Sequence, residues 1–451
     1  MKKITFHSNA VCITLALFFT STFSFPVELN ASEEIEELRA MVLALKKEVE
    51  ALKEQLASKE EKRDVVVDKP EEEAPTRAPL KIPAVAGVSS KFGLSIYGYF
   101  KLDSFYNTAQ TSHQEIPFWV ASDEDVSSGE FDMTAKETRL GINMAGPDVS
   151  GGNVSGKLEF DFFGKINTPG SVSGNHAFQL RTRHAYLNWD FGEWSILAGK
   201  TWEPYLITFP QTLNFGYNNF AGQLGLRKTQ LRFTRKVGSD LEWVGAILEP
   251  VGGVHGADVD GDGQDDGTDS DFPVLSGKVV YKLPVTADKS ATLGASFVYG
   301  KERFDIPVAG NSDTYDAWAV TGAVSVPLGD RMVWSTSAFL GANMDSYWGG
   351  IAQGVNHALG EEISGYGGWT ELKLKATDKY TLNLGYSVDN PDNEDLWTGA
   401  RSKNEILRIN SFYEFSPSLI LGLEFLDQKT SYKSRDAAKN KHFHTALIFK
   451  F

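Results

Sequence analysis

The stretch FHTALIFKF, residues 443–451, sets Phe443, Thr445, Leu447, Phe449 and Phe451 on one face against His444, Ala446, Ile448 and Lys450 on the other, and the sequence ends there. Successive side chains of a strand point to opposite faces. A strand this apolar on one side, with nothing polar after it, needs a partner strand and an oily surface together. That predicts the closing strand of a membrane β-barrel. An edge strand of a soluble sandwich is the alternative this segment alone leaves open.

Working back from it, the same two-residue rhythm recurs in sixteen segments: 94–105, 130–145, 153–165, 176–190, 193–203, 223–237, 241–249, 272–283, 289–301, 313–328, 331–343, 361–375, 379–389, 403–415, 419–430 and 440–451. Tight turns at 146–152, 191–192, 238–240, 284–288, 329–330, 376–378 and 416–418 alternate with longer links rich in Asp, Gly and Asn. An even strand count, with short turns at one end and long loops at the other, is what a barrel with both termini on the short-turn side requires. In residues 156–163, Leu158, Phe160 and Phe162 should face lipid while Lys157, Glu159 and Asp161 face inward. A soluble sandwich would also bury an apolar face, but sixteen strands with charged inner faces would leave many charges in its core. Trp189, Trp194, Trp243, Trp318, Trp334 and Trp369, near strand ends, suit an aromatic girdle. The expected fold is therefore all-β: a 16-stranded antiparallel transmembrane barrel spanning 92–451.

Composition agrees. With 41% hydrophobic residues the chain is too polar for a helical membrane protein. Its one long apolar stretch, 11–25, follows Lys2 and Lys3 and precedes Leu29, Asn30 and Ala31, the layout of a secretory signal peptide over 1–31. Cys12 lies within that leader, at the start of its apolar stretch and upstream of the cleavage region, so it is not placed to become a lipidated N-terminus, and the mature chain is expected to lack disulfides. Loss of Lys2, Lys3 and Glu28 takes the net charge from −15 to −16, which argues against a nucleic-acid partner.

In 32–62, Ile35, Leu38, Val42, Leu45, Val49, Leu52 and Leu56 recur at alternating steps of three and four between Glu and Lys residues. This predicts a short coiled coil, and β-branched residues at most a positions with Leu at d lean weakly to two strands. A single amphipathic helix lying on a domain would show a wider stripe. A Pro- and Glu-rich spacer over 63–91 joins it to the barrel, which would hang the helix in the periplasm.

No catalytic constellation stands out, and Ser, His and Asp are scattered without a nucleophile elbow; the chain is not expected to be an enzyme. A basic set is more informative. Arg139, Lys157, Arg181, Arg183, Arg232 and either Arg227 or Lys228 fall on expected inner faces, with Lys200 and Glu203 close by; of the pair, Lys228 is assigned to the wall. A charge facing lipid at the midplane costs about 2–4 kcal/mol, so such residues should line a wet lumen. The link 201–222 carries Trp202, Tyr205, Phe209, Phe215, Tyr217 and Phe220, too aromatic for open water, and is expected to fold into the barrel and narrow it. Packing on a neighbouring subunit is the alternative. Aromatics opposite arginines would make a site for flat organic anions.

A second run, Asp258, Asp260, Asp262, Gly263, Gln264, Asp266 and Asp269, has oxygen ligands at positions 1, 3, 5, 9 and 12, glycine at 6 and a backbone carbonyl at 7. The spacing matches an EF-hand-like Ca²⁺ loop, although Asp stands where a bidentate Glu is usual and flanking helices are lacking. An acidic loop without a metal is the alternative.

The chain resembles the porin family called DcaP-like. The resemblance is carried by FGLSIYGYFKLD (92–103), TRLG (138–141), GKLEFDFFG (156–164), LRTRHAY (180–186), LAGKTW (197–202) and RKTQLRFT (227–234). It covers the first half of the barrel through motifs and the second through strand pattern alone. It implies a trimeric 16-stranded outer-membrane porin with a periplasmic coiled coil, taking up small, often aromatic or dicarboxylic, anions. The trimer overrides the two-strand lean of the helix, because three adjacent barrels would gather their N-termini. The resulting expectation is a homotrimeric diffusion channel among outer-membrane lipid and lipopolysaccharide, favouring small organic anions. The rival is an outer-membrane tether acting through the helix, weakened because no wall-binding domain is recognisable before it.

Overall fold

The computed structural model describes residues 93–122, 129–164, 179–250, 270–303 and 314–451. The expected leader, coiled coil and spacer and the Asp-rich run 258–269 lie outside the described residues.

Sixteen strands follow one another: β1 (Gly93–Asn107), β2 in two pieces (Glu130–Thr134 and Arg139–Val149), β3 (Gly152–Asp161), β4 (Arg181–Asp190), β5 (Trp194–Trp202), β6 (Arg227–Val237), β7 (Leu241–Leu248), β8 (Val274–Pro284), β9 (Ser290–Arg303), β10 (Thr314–Leu328), β11 (Met332–Ala342), β12 (Ser364–Lys375), β13 (Tyr380–Pro391), β14 (Arg401–Ser416), β15 (Leu419–Tyr432) and β16 (Arg435–Lys450). Each pairs antiparallel with the next, and β16 pairs with β1 from Tyr99↔Lys450 to Asn107↔His442, which closes the sheet. No edge is left for another chain to join. The two pieces of β2 are one stave, since both run along β1: Gly93↔Ala145 to Tyr99↔Arg139, then Asp103↔Thr134 to Asn107↔Glu130. Phe451 finishes the closure by exchanging backbone bonds with Gly98 at 3.1 and 3.2 Å. A Cβ on Gly98 would collide with the carbonyl of Arg139, so only glycine fits there.

The faces are inside out relative to a soluble protein. On β15 and β16 the outer rungs are Leu419↔Phe449, Leu421↔Leu447, Leu423↔Thr445 and Phe425↔Phe443, while the inner ones include Glu424↔His444, Leu426↔His442 and Gln428↔Asn440. Ile96 and Phe131 are each 66% exposed, whereas Asn383, Asn404, Gln428 and His442 are fully buried. Only a hydrocarbon surround makes that arrangement favourable, so the sheet is a membrane-spanning barrel with a polar interior.

Two expectations need correction. The link 431–439 is a tight hairpin, with Tyr432 paired to Arg435, instead of a long loop. The lysines that make it look like a loop sit at the strand ends, where a membrane surface tolerates charge. Trp369 belongs to no girdle: it is 2% exposed, points inward and donates from Nε1 to Gln223 Oε1 at 2.6 Å. Parity on its strand decides this, and closeness to a strand end does not.

Candidate functional site

The inner wall of β3 and β4 carries the most charge. Their register slips between Glu159 and Phe160: Glu159 faces His184, Phe160 faces Thr182, and Arg183 is the extra residue of a β-bulge. The bulge turns Arg183 inward alongside His184, so Arg181, Arg183 and His184 share one side despite their odd spacing. Arg183 is fully buried, with Nε donating to Glu159 Oε1 at 2.7 Å and Nη1 to Asp161 Oδ2 at 2.9 Å. Arg181 holds Asp161 with two bonds, 2.9 and 2.6 Å. Glu159 is the hub: Tyr97 donates to it at 2.6 Å, and Arg139 and Lys157 stand 3.5 and 3.7 Å away.

The link between β5 and β6 folds across the lumen. Its backbone is held by inward side chains from well-separated strands. Lys101 of β1 donates to the carbonyl of Leu213 at 2.7 Å, Ser296 of β9 to that of Tyr205 at 2.8 Å, and Asn404 of β14 to that of Phe220 at 2.9 Å. Glu424 of β15 accepts from the amides of Leu213 and Asn214 at 2.7 and 3.2 Å. Tyr217, Asn218 and Phe220 adopt positive φ of 48°, 62° and 58°, a conformation side chains resist, so the anchoring must offset local strain.

Folded in this way, the link presses Phe215 onto the arginine wall. Phe215 stacks on Phe163 at 4.8 Å; Arg181, Arg183 and Arg227 lie 4.8, 5.1 and 5.8 Å from its ring centre. Arg227 also covers Trp202 at 4.2 Å, and its Nη1 is buried without a hydrogen-bond partner among the described residues. Three guanidinium groups, Arg181, Arg183 and Arg227, thus surround one phenylalanine, with Glu159 and Asp161 bonded to two of them, while Arg139 and Lys157 approach the same wall from the far side of Glu159. The two acids neutralise part of the charge and fix the guanidinium planes in place.

The other expected residues are placed differently. Lys228 is buried, near the carbonyl of Pro250 at 3.4 Å and 5.7 Å from the Tyr347 ring centre. Arg232 bonds Gln230 at 2.9 Å and the carbonyl of Trp202. These two share the inner row of β6, away from the Phe215 cluster. Lys200 stands opposite Ala185 and Thr229, in the row that carries Leu187 and Leu231 outward, so the register takes it off the lumen row. Glu203 is 1% exposed and braces the base of the inward link, accepting from Tyr205 at 2.7 Å and from the Leu226 amide at 2.6 Å; burial pushes its carboxyl above the ordinary range. Alternation favours Lys228 over Arg227, since Arg227 shares the row of the outward Leu231 and Phe233. Arg227 nevertheless meets Phe215 because it opens its strand where the inward link joins, and no pattern in the sequence marks that. Among the described residues no group of three or more His, Cys, Asp or Glu is placed to hold a metal ion.

Neither a protein-family model nor a curated protein sequence matches the chain. Solved structures do. The outer membrane channel DcaP of Acinetobacter baumannii is 20% identical with a TM-score of 0.65 over 81% of this chain and 100% of that one. An anion-selective porin from Comamonas acidovorans is 13% identical with a TM-score of 0.53, over 80% and 100%. OprB of Pseudomonas putida is 11% identical with a TM-score of 0.53, over 80% and 94%. At such identities the likeness concerns fold: this chain is built on the barrel of bacterial outer-membrane porins, with the DcaP channel, whose family its motifs resemble, among the structures that share it.

Proposed function

We propose that the protein is an outer-membrane porin for passive diffusion of small hydrophilic solutes, favouring organic anions such as carboxylates. The observation that carries the reading is the excess of cationic over anionic side chains around Phe215 inside a barrel narrowed by an inward link. Arg181, whose side chain stays 29% exposed and whose Nη1 is not engaged by Asp161, can offer its remaining N–H donors to a passing carboxylate, while the buried Arg183, Arg227 and Phe215 hold its plane and add positive potential behind it. The anion-selective Comamonas porin shares the fold and supports the reading. The barrel is proposed to work as a homotrimer with its coiled coil, 32–62, in the periplasm, and 258–269 as a Ca²⁺ loop; calorimetric titration showing no heat at millimolar Ca²⁺ would dismiss the latter.

Reversal potentials in planar bilayers under a KCl gradient test the main claim. The wild type should prefer chloride, and Arg181→Gln with Arg183→Gln should move the preference toward potassium by several-fold, since Glu159 and Asp161 lose their main partners. Unchanged selectivity removes the anion reading; a barrel that conducts nothing favours the tether instead.

A further inference from the structure

Above the apolar rungs, the outward row of β14–β16 changes character at the long-loop end. After Phe425↔Phe443, whose rings are 5.1 Å apart, the next outer rungs are Asp427↔Lys441 and Lys429↔Lys439. Two lysines directly opposed on one face destabilise a sheet unless something anionic lies between them. On the neighbouring strand, Glu405 faces Lys429 across the register and is bonded by Lys403 at 2.8 Å and by Tyr386 at 2.7 Å. Lys429, Lys439 and Lys441 are all exposed, and none forms an ion pair within 4.0 Å among the described residues. The row therefore holds four lysines, Lys403, Lys429, Lys439 and Lys441, against two acids, Glu405 and Asp427. On β9 and β10, at the same end of the barrel, Lys301 and Asp316 simply pair at 2.9 Å.

The height of the patch says what meets it. From Leu419 to Asp427 the strand climbs roughly 27 Å, less when tilted, close to the height of about 25 Å of a barrel's apolar band. The lysines thus stand at the headgroup level of the leaflet on the long-loop side, where the cost of an outward charge falls to about 0–1 kcal/mol.

We infer that this lysine row on β15 and β16 binds the phosphate groups of a phosphorylated outer-leaflet glycolipid, a claim that rests on the outer-membrane placement but not on anion selectivity. The lipid's phosphates bridge Lys429, Lys439 and Lys441, relieving their repulsion, while its acyl chains lie on Phe425, Phe443 and Leu423 below. The full-length protein, purified in detergent after delipidation, is titrated with diphosphorylated lipid A, dephosphorylated lipid A and inorganic phosphate, with binding read by native mass spectrometry and by thermal shift. Diphosphorylated lipid A should bind at least ten-fold more tightly than the dephosphorylated form, and Lys429→Gln/Lys439→Gln/Lys441→Gln should abolish that difference while planar-bilayer conductance stays as in the wild type. Equal binding by the triple variant, equal binding of both lipid forms, or a response reproduced by inorganic phosphate alone overturns the inference. So does a row covered by a second copy of the chain, seen as a subunit association that the substitutions weaken without any dependence on lipid. Should the triple variant fail to form a heat-modifiable barrel, Lys439→Gln alone provides the comparison, with at least a three-fold loss expected and no loss counting against the claim.

Discussion

Glu115 shows what burial does to a single carboxyl. It lies in the link between β1 and β2, 3% exposed, with Lys136 at 3.5 Å and His113 at 3.7 Å and both oxygens without hydrogen-bond partners. Burial pushes it up to about 7, with Lys136 pulling the other way. A raised carboxyl stabilises docking of this link below about pH 4.5, and that contribution is lost as pH rises through 7. His113 acts in the opposite sense: burial and then Lys136 hold it down to about 4, so its contribution is present above about 6.5 and lost as pH falls through 4. The thermal midpoint in detergent should therefore peak near pH ~5–6, and Glu115→Gln should remove the decline on the alkaline side. A variant with the wild-type pH profile would show that Glu115 does not titrate in this window. At this scale the sequence showed which residue types face inward, but not their partners. Arg183 is legible as a lumen residue, yet its carboxylate ligands come from a different strand.

Among the elements, the link 203–226 needs glycine at Gly222 and Gly225, both at positive φ, and Gly222 is the one that touches the wall. Gly222 has φ +114°, and a Cβ there would collide with the carbonyl of Gly368 on β12. Gly222→Ala cannot adopt the present path, so the link should leave the wall and the conductance should rise several-fold while the barrel stays heat-modifiable. Unaltered conductance would mean that the link does not set the constriction. That this link enters the lumen could be read from its aromatic content, because open water is a poor surround for so many rings. The bulge at Arg183 could not, since a one-residue slip alters which side chains share a face without altering composition. The hairpin at 433–434 was hidden for a related reason: strand signals based on apolar alternation fade where the outward row leaves hydrocarbon.

For the whole molecule, closure is the decisive step, because an unclosed sheet in hydrocarbon exposes a full row of unpaired backbone groups. The seam runs from Tyr99↔Lys450 to Asn107↔His442, and Phe451 extends it to Gly98 and packs on Phe100 at 5.4 Å between ring centres. Deleting residues 449–451 removes the last outer rung and both bonds to Gly98. The yield of heat-modifiable barrel on refolding into detergent should fall several-fold; an undiminished yield would show that the rest of the seam closes the barrel without them.

The sequence by itself determined the class of fold, the number of staves and the end of the barrel at which loops are long. These follow from a two-residue period whose oily side must meet lipid, a constraint each segment carries locally. Only the tertiary structure decided which charges cancel. Glu159 and Asp161 meet Arg181 and Arg183 because of register and one bulge, Arg227 reaches Phe215 because the inward link carries that ring to it, and Lys429 faces Lys439 because a hairpin is tight. Such pairings depend on distances between residues far apart in the chain, which no local pattern encodes.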